Sequence, residues 1–315
     1  MKKIIYILGL FVFFASCSDV LDIEDLNNYS PESVWNDENL ANAYMVNLYP
    51  MFGNWNAGSD RLSQQLAGIE WYADRITISN ENFKNWDYYT IRLINQAILD
   101  VESGTLPQPV KDRITGEALF MRAYRYFDMV VYHGGVPYIK VPQDRYEDDL
   151  YVPRNSTEEC FDFIIEDLDR ALELLPESIG TGSDEYGKID SNFALAFKAK
   201  VLLYKASPQF NPTQPWDNAY WSEAHAVNKN AYETLLAYGY GLVEDYANIA
   251  LEERNKEVVF SVINSYPNKT ASWDSGVRPG SESRGPANAC PTWEFVKEFP
   301  MKDGRLYNDP LSAYN

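Results

Sequence analysis

The sequence predicts a mainly helical fold of stacked helical hairpins, followed by an irregular, loop-rich C-terminal part. Six long segments between residues 38 and 238 repeat apolar side chains with the period of a helix. Small alanines occur where a second helix could approach closely. Residues 264–292 are rich in Gly, Pro, Ser and Asn, which is typical of a long surface loop.

The first segment, residues 1–16, has the layout of a signal peptide. Two lysines precede an apolar run of eleven residues. This run is too short for a membrane-spanning helix, which needs ~20 residues. Ala15-Ser16-Cys17 then resembles a bacterial lipobox. We therefore expect cleavage before Cys17 and lipidation of its thiol, which tethers a chain without spanning the membrane. A short buried helix is the alternative.

The first three helices are predicted from their periodicity and from the residues that end it. Residues 38–52 carry an apolar stripe that Pro50 ends or bends. Residues 82–101 place apolar side chains on one broad face. Residues 110–135 form a third helix, which ends at a Gly-Gly pair.

The next three helices are predicted at residues 155–176, 190–207 and 220–238. In the first of these, Ser156 and Glu159 fit a capping box. Its final stretch, EDLDRALELLP, has the Ala-then-Pro ending of the second helix in a tetratricopeptide unit. Because the connecting loops vary in length, the hairpins are predicted to form a degenerate, tetratricopeptide-like array.

The C-terminal part is predicted to be less regular. A short helix is predicted at residues 245–254, and the sequence EVVFSVI at 257–263 is the best strand candidate. After the loop at 264–292, residues 291–309 begin another element.

The charge of the chain excludes one class of partner. The formal net charge is −19 at pH 7, and it would be −21 without residues 1–16. Phosphate backbones repel such a chain, so we expect no nucleic-acid partner.

The sequence lacks the familiar catalytic motifs. It has two histidines and no HExxH, GxSxG or P-loop pattern. We expect His133 to cap the end of a helix rather than to act in a Ser-His-Asp triad. The glycine-rich stretch at 180–187 follows a helix instead of a strand, which argues against a phosphate-binding loop. We therefore predict no catalytic residues.

An acidic loop and two cysteines leave alternatives open. Carboxylates of the loop at 144–154 could hold Ca²⁺, although a solvated loop is the simpler interpretation. No other metal or cofactor is predicted. A disulfide between Cys160 and Cys290 could form in an oxidising compartment. A lone helical cysteine is more often a small buried residue. The carboxylates are Asp144, Glu147, Asp148 and Asp149.

Tryptophans in polar loops are the best candidates for ligand contacts. Aromatic rings offer rigid planes on which the apolar faces of sugar rings can stack. The alternative for each tryptophan is packing within its own loop. The candidates are Trp55, Trp71, Trp216 and Trp273, with Asn54 and Arg278 nearby. Of these, we predict Trp71, Trp273, Arg278 and Trp55 as ligand-binding residues.

Several motifs, taken in their order along the chain, resemble one known family. They are IRLINQAI (91–98), GEALFMRAYRYFDMVVYHGGVPYI (116–139), STEECFDFIIEDLDRALELLP (156–176), LLYKASPQFNP (202–212) and PTWEFVKEF (291–299). Together they resemble the SusD/RagB family of Bacteroidetes outer-membrane lipoproteins, over nearly the whole chain after Cys17.

The resemblance implies a SusD-like helical protein, lipid-anchored on the outer membrane at the cell surface. It implies a lid on a SusC-like TonB-dependent barrel that binds glycans and delivers them for import. Glu117 and Arg122 would then belong to the scaffold. Family members are longer, so we expect an N-terminal domain at residues 17–255 and an incomplete C-terminal domain at 256–315.

Other functions remain open at this point. A peptide-binding, RagB-like lid would use backbone hydrogen bonds and apolar pockets instead of tryptophan platforms. A surface hydrolase would need one essential carboxylate. A purely structural lid would have no ligand of its own.

Overall fold

A computed structural model of the chain describes residues 31–53, 86–264, 267, 270 and 291–312. Its elements in chain order are α1 (Pro31–Val34), α2 (Glu38–Val46), a 3₁₀ helix (Tyr49–Phe52), α3 (Tyr88–Ser103), α4 (Gln108–His133), α5 (Thr157–Leu174), α6 (Ser191–Ala206), α7 (Tyr220–Ala237), α8 (Asn248–Leu251) and α9 (Trp293–Lys297).

The five long helices, α3 to α7, form consecutive hairpins. Each packs mainly on the helices that precede and follow it in the sequence. Helix α4 lies at the centre of the core and buries most of its side chains. After α7 the described residues are mostly irregular. The predicted fold, helical hairpins followed by an irregular part, is confirmed.

Side-chain caps fix where the helices begin. Ser156 Oγ accepts a hydrogen bond from the Glu159 N–H at 3.1 Å, and Glu159 Oε2 accepts one from the Ser156 N–H at 2.8 Å. The predicted capping box is therefore confirmed. Asp190 caps α6 from one side only, by accepting from the N–H of Phe193 at 2.9 Å.

A buried ion pair links α4 to α5. Both oxygens of the Asp167 carboxylate accept hydrogen bonds of 2.7 Å from the Arg122 guanidinium. The hydroxyl of Tyr138 donates to the same carboxylate at 2.9 Å. Arg122 and Glu117 both lie in the core, where a scaffold role would place them. Cys160 is also buried, as a small core residue would be, whereas Cys290, its partner in the possible disulfide, lies outside the described residues.

Three predicted elements differ from the structure. Residues 257–263 do not form a strand, and none of the described residues lies in one. Phe260 packs flat on a helical ring instead, so its segment follows an aromatic surface rather than a neighbouring strand. Helix α3 begins only at Tyr88, because Asp87 caps it. The helix predicted at 38–52 becomes α2 and a separate 3₁₀ turn, which contains Pro50.

Within the described part of the chain, none of the helices combines the length and the apolar character that crossing a bilayer requires.

Candidate functional site

A cavity of about 400 Å³ is lined in part by Phe260, whose ring packs on Phe193 in the first turn of α6. Its walls come from three segments that are far apart in the sequence: residues 46–52, residues 184–188 and residues 260–263. The volume falls within the range of about 300–1,000 Å³ that is usual for small-molecule sites. We refer to it below as the α6 cavity.

Aromatic rings form the floor of the α6 cavity. The Phe260 ring lies parallel to that of Phe193 on α6, with 4.1 Å between centroids and 3° between planes. Phe52 meets Phe260 edge-on at 5.2 Å and Tyr124 of α4 at 4.9 Å. Because these rings continue into the core, the floor is held by the helical scaffold.

Tyr49 joins two of the three walls to the core. Its hydroxyl donates to Glu117 Oε2 at 3.0 Å and accepts from the Ile189 N–H at 3.0 Å. Burial raises the pKa of Tyr49 well above its ordinary value, so this hydroxyl stays neutral and keeps both bonds. Arg113 pairs with Glu117 at 2.7 Å and neutralises the buried carboxylate.

The glycine-rich stretch at 180–187 contributes a wall of the cavity. Gly187 has φ of +95°. A Cβ atom at Gly187 would lie 2.6 Å from Cγ1 of Ile263, so only glycine allows the two segments this close approach. The guanidinium carbon of Arg254 lies over the ring of Tyr186, the residue before Gly187, at 4.8 Å from the ring centroid. The Ser261 hydroxyl donates to the Tyr186 hydroxyl at 3.4 Å.

The α6 cavity holds one ion pair and one further carboxylate. Lys188 Nζ lies 2.6 Å from Glu185 Oε1, and this hydrogen bond lowers the pKa of Glu185. Among the described residues that line the cavity, Lys188 is the only lysine or arginine. Asp184 adds a further carboxylate. This combination favours a neutral ligand with an apolar face over a phosphate or a carboxylate.

The residues predicted to bind ligand are not tested by this geometry. Trp55, Trp71, Trp273 and Arg278 lie outside the described residues, as do Asn54 and the predicted lipidation site Cys17. Trp216 is described, and it lies in the loop between α6 and α7, away from the α6 cavity. In the sequence, Trp55 follows the cavity residue Phe52 by three positions.

The sequence interpretation missed the aromatic side chains of the cavity, Tyr49, Tyr186 and Phe260. Each belongs to a segment that was assigned another role: the end of a helix, a discounted glycine-rich loop and a strand. The aromatic residues in glycine- and proline-containing turns were the available signal. Their convergence depends on contacts between distant segments, which periodicity does not record.

The acidic loop uses its carboxylates internally. Asp144 accepts hydrogen bonds from the N–H groups of Tyr146 and Glu147 at 2.7 and 3.1 Å. Asp148 accepts from the N–H of Asp144 at 2.7 Å. Over the described ranges, no group of three or more His, Cys, Asp or Glu side chains is arranged to hold a metal ion.

His133 ends α4, as predicted, but another side chain caps the helix. Arg154 donates to the carbonyl oxygens of His133 at 2.8 Å and Gly135 at 2.6 Å. The His133 imidazole instead stacks on Trp86, with 4.3 Å between ring centroids. His133 thus lies in the last turn of α4, where the prediction places it, while the hydrogen bonds to the free carbonyl groups come from Arg154.

Comparison with known proteins gives a consistent family. Residues 23–203 match a SusD-like family model described as starch-binding and associating with the outer membrane. A SusD-like protein of Formosa agariphila is 27% identical over 207 residues, which cover 60% of this chain and 39% of the relative. A SusD-like protein of Bacteroides ovatus is 28% identical over 222 residues, covering 65% and 40%. This chain thus spans about two fifths of the length of the curated relatives it matches.

Solved structures agree with the family match. A SusD-like protein from Bacteroides fragilis superposes with a TM-score of 0.69 at 26% identity, covering 88% of this chain and 57% of that one. A SusD-like carbohydrate binding protein from the same species gives 0.71 at 19% identity, covering 89% and 56%. A laminarin binding SusD-like protein gives 0.57 at 20% identity, covering 73% and 52%. The last two likenesses concern the fold alone.

Proposed function

Because this chain belongs to the SusD-like family, described as starch-binding and associating with the outer membrane, we propose that it binds carbohydrate at the cell surface. The family is one of carbohydrate-binding proteins and not of enzymes. The observation that carries the proposal for this chain is the α6 cavity, with its aromatic floor and without an unpaired cation among its described lining residues.

The cavity chemistry suits a sugar. A sugar ring presents a weakly polar face of C–H groups, which packs on aromatic rings such as Phe260. Its edge carries hydroxyl groups that exchange hydrogen bonds with groups such as Ser261 and Asn47. A neutral sugar also leaves the ion pair between Lys188 and Glu185 in place.

Finer parts of the proposal rest on the family and on the sequence. Lipidation of Cys17 would hold the protein on the outer membrane, and a SusC-like TonB-dependent barrel would receive the bound glycan. Trp55, Trp71, Trp273 and Arg278 are proposed as further ligand contacts. We also propose that residues 17–255 form the helical domain and that 256–315 begin a second one.

A matched pair of variants tests the site. The chain without residues 1–17 is titrated calorimetrically with soluble starch, laminarin, xylan, their trimers and an oligopeptide mixture. We expect Tyr186→Ala to weaken glycan binding about tenfold, equivalent to ~1.4 kcal/mol, because it removes an aromatic wall. Tyr232→Ala, an exposed tyrosine on α7, is the control and should bind as the wild type does. Binding of peptides alone would replace the proposal with the peptide-binding alternative.

A further inference from the structure

A second aromatic surface lies in the loop between α6 and α7. The side chain of Trp216 is 75% exposed. Its ring lies nearly parallel to that of Trp221, with 6.1 Å between centroids and 17° between planes. Single exposed apolar side chains are common on proteins, so the exposure of Trp216 matters only together with how its loop is held and what surrounds it.

The loop holds this indole in one place. Trp221 Nε1–H donates to the Pro215 carbonyl oxygen at 3.1 Å, which fixes the residue before Trp216. Asn218 Nδ2–H donates to the carbonyl oxygen of Ala206 at 3.0 Å, which fixes the chain after it to the end of α6. Because both flanks are anchored, a ligand that stacks on Trp216 would lose little further loop entropy.

The surroundings of Trp216 distinguish between two kinds of ligand. Between residues 204 and 231, it is the only exposed large hydrophobic side chain. A protein interface core contains several such side chains together. A sugar ring needs one aromatic plane with polar groups at its edge. Most of the exposed residues around it in the sequence are polar, as a sugar requires: Thr213, Gln214, Asp217, Ser222 and Glu223, beside the small apolar residues Pro212 and Ala219.

We propose that Trp216 is a second sugar-binding platform, separate from the α6 cavity, and that one long glycan contacts both. This inference rests on the proposed carbohydrate-binding function. Phe193, at the cavity, and Ala206, at the platform, lie at opposite ends of α6. At 1.5 Å per residue, these two anchoring residues are about 20 Å apart along the helix. Joining two weak contacts through one ligand raises the apparent affinity for long chains, while short chains reach one site only.

The experiment compares polymers with their trimers. Soluble starch, laminarin and xylan, each with its trimer, are titrated into the wild type, Trp216→Ala, Tyr186→Ala and the control Tyr151→Ala, whose tyrosine is 94% exposed. We expect Trp216→Ala to weaken polymer binding at least fivefold and to leave trimer binding within twofold. Tyr186→Ala should weaken both, and Tyr151→Ala neither. Circular dichroism and thermal unfolding confirm that the variants fold.

A second measurement reports on the residue itself. In hydroxyl-radical footprinting, the bound polymer should protect the peptide that contains Trp216, and the trimer should not.

The outcomes separate this inference from the function on which it rests. If Trp216→Ala binds the polymer within twofold of the wild type while Tyr186→Ala binds it more weakly, the second platform alone is overturned. A wild type that binds none of the glycans overturns the platform and the proposed function together.

Discussion

The hydroxyl of Tyr49 lies 3.0 Å from Glu117 Oε2, so the wall of the α6 cavity is bonded directly to the buried centre of α4. The same hydroxyl also accepts the N–H of Ile189. One side chain therefore holds the 3₁₀ turn, the central helix and the glycine-rich loop in a common arrangement. Stability and binding should be coupled at this residue.

Tyr49→Phe should reduce both stability and glycan affinity. The change leaves a buried carboxylate and a backbone N–H each short of a partner, which costs about 1–3 kcal/mol per group. We expect a lower urea midpoint and severalfold weaker binding of the preferred glycan. Tyr44→Phe is the control, because its hydroxyl makes one bond of 2.9 Å, to the Leu93 carbonyl oxygen, away from the cavity. Equal effects of the two variants on affinity would contradict this prediction.

Breaking the buried ion pair between Arg122 and Asp167 should cost more folding stability than breaking the exposed pair between Arg170 and Glu173. Arg122→Met leaves Asp167 charged and buried, which typically costs about 3–5 kcal/mol. Arg170→Met removes an exposed pair with Glu173, at 2.5 Å, and exposed pairs contribute about 0–1 kcal/mol. Urea unfolding of both variants measures the difference. A similar loss of stability in the two variants would show that Asp167 becomes hydrated when Arg122 is absent.

Gly187→Ala should impair the cavity more than it impairs the fold. Positive φ and the 2.6 Å approach to Ile263 both disfavour a side chain there, and such strain costs roughly 1–3 kcal/mol. We expect glycan affinity to fall at least tenfold, since two walls must move apart. Gly182→Ala on the same loop has open space around its Cβ and serves as the control. Calorimetric titration measures the glycan affinity of both variants, and thermal unfolding measures their stability. Unchanged affinity in Gly187→Ala would refute the prediction that the close approach of the two segments shapes the site.

Tyrosine ionisation should make the fold sensitive to alkali. Burial raises the pKa of Tyr44 from 10.0 to about 12. The stability that this residue contributes is therefore complete below pH 10 and is lost as the pH rises from 10 to 12, because the unfolded chain ionises first. Tyr44→Phe should lose less stability over this window than the wild type does. Urea unfolding at several pH values measures the free energy of unfolding of both proteins. If it falls equally with pH in the wild type and in Tyr44→Phe, the loss of stability does not come from Tyr44.

The charge of the protein should select neutral glycans. With a formal net charge of −19, the chain repels polyanions over a Debye length, which is about 10 Å at 0.1 M salt. Affinity for a neutral polymer should change little between 20 and roughly 500 mM salt. Alginate, a polyanion, should bind weakly at low salt and gain affinity as salt is added. Strong alginate binding at low salt would instead require a basic site.

The helical scaffold could be predicted because its signals are local. Ser156 and Glu159 are three positions apart, and the apolar stripes repeat every turn, so each helix is specified by residues within its own segment. The start of α3 was placed too early because Trp86 fits the apolar stripe, whereas the Asp87 cap decides the boundary.

The α6 cavity could not be predicted in the same way. Phe260 lies in a run of β-branched residues that is typical of a strand, and only its contact with Phe193 shows that it follows an aromatic surface. Tyr49 and Ile189 are 140 positions apart, yet they share a hydrogen bond. Such pairings arise from how the helices pack, which no local pattern encodes. The exposure of Trp216 likewise required the structure.

The separate origins of the cavity walls have an evolutionary consequence. Phe193 belongs to a helix whose core contacts restrict substitution. Residues 184–188 and 260–263 belong instead to irregular segments that line the cavity. Insertions and exchanges in those segments can reshape the recognised surface while the helical frame keeps its packing. New ligand preferences can therefore arise in this architecture by changing short stretches of chain, without selecting for a new core.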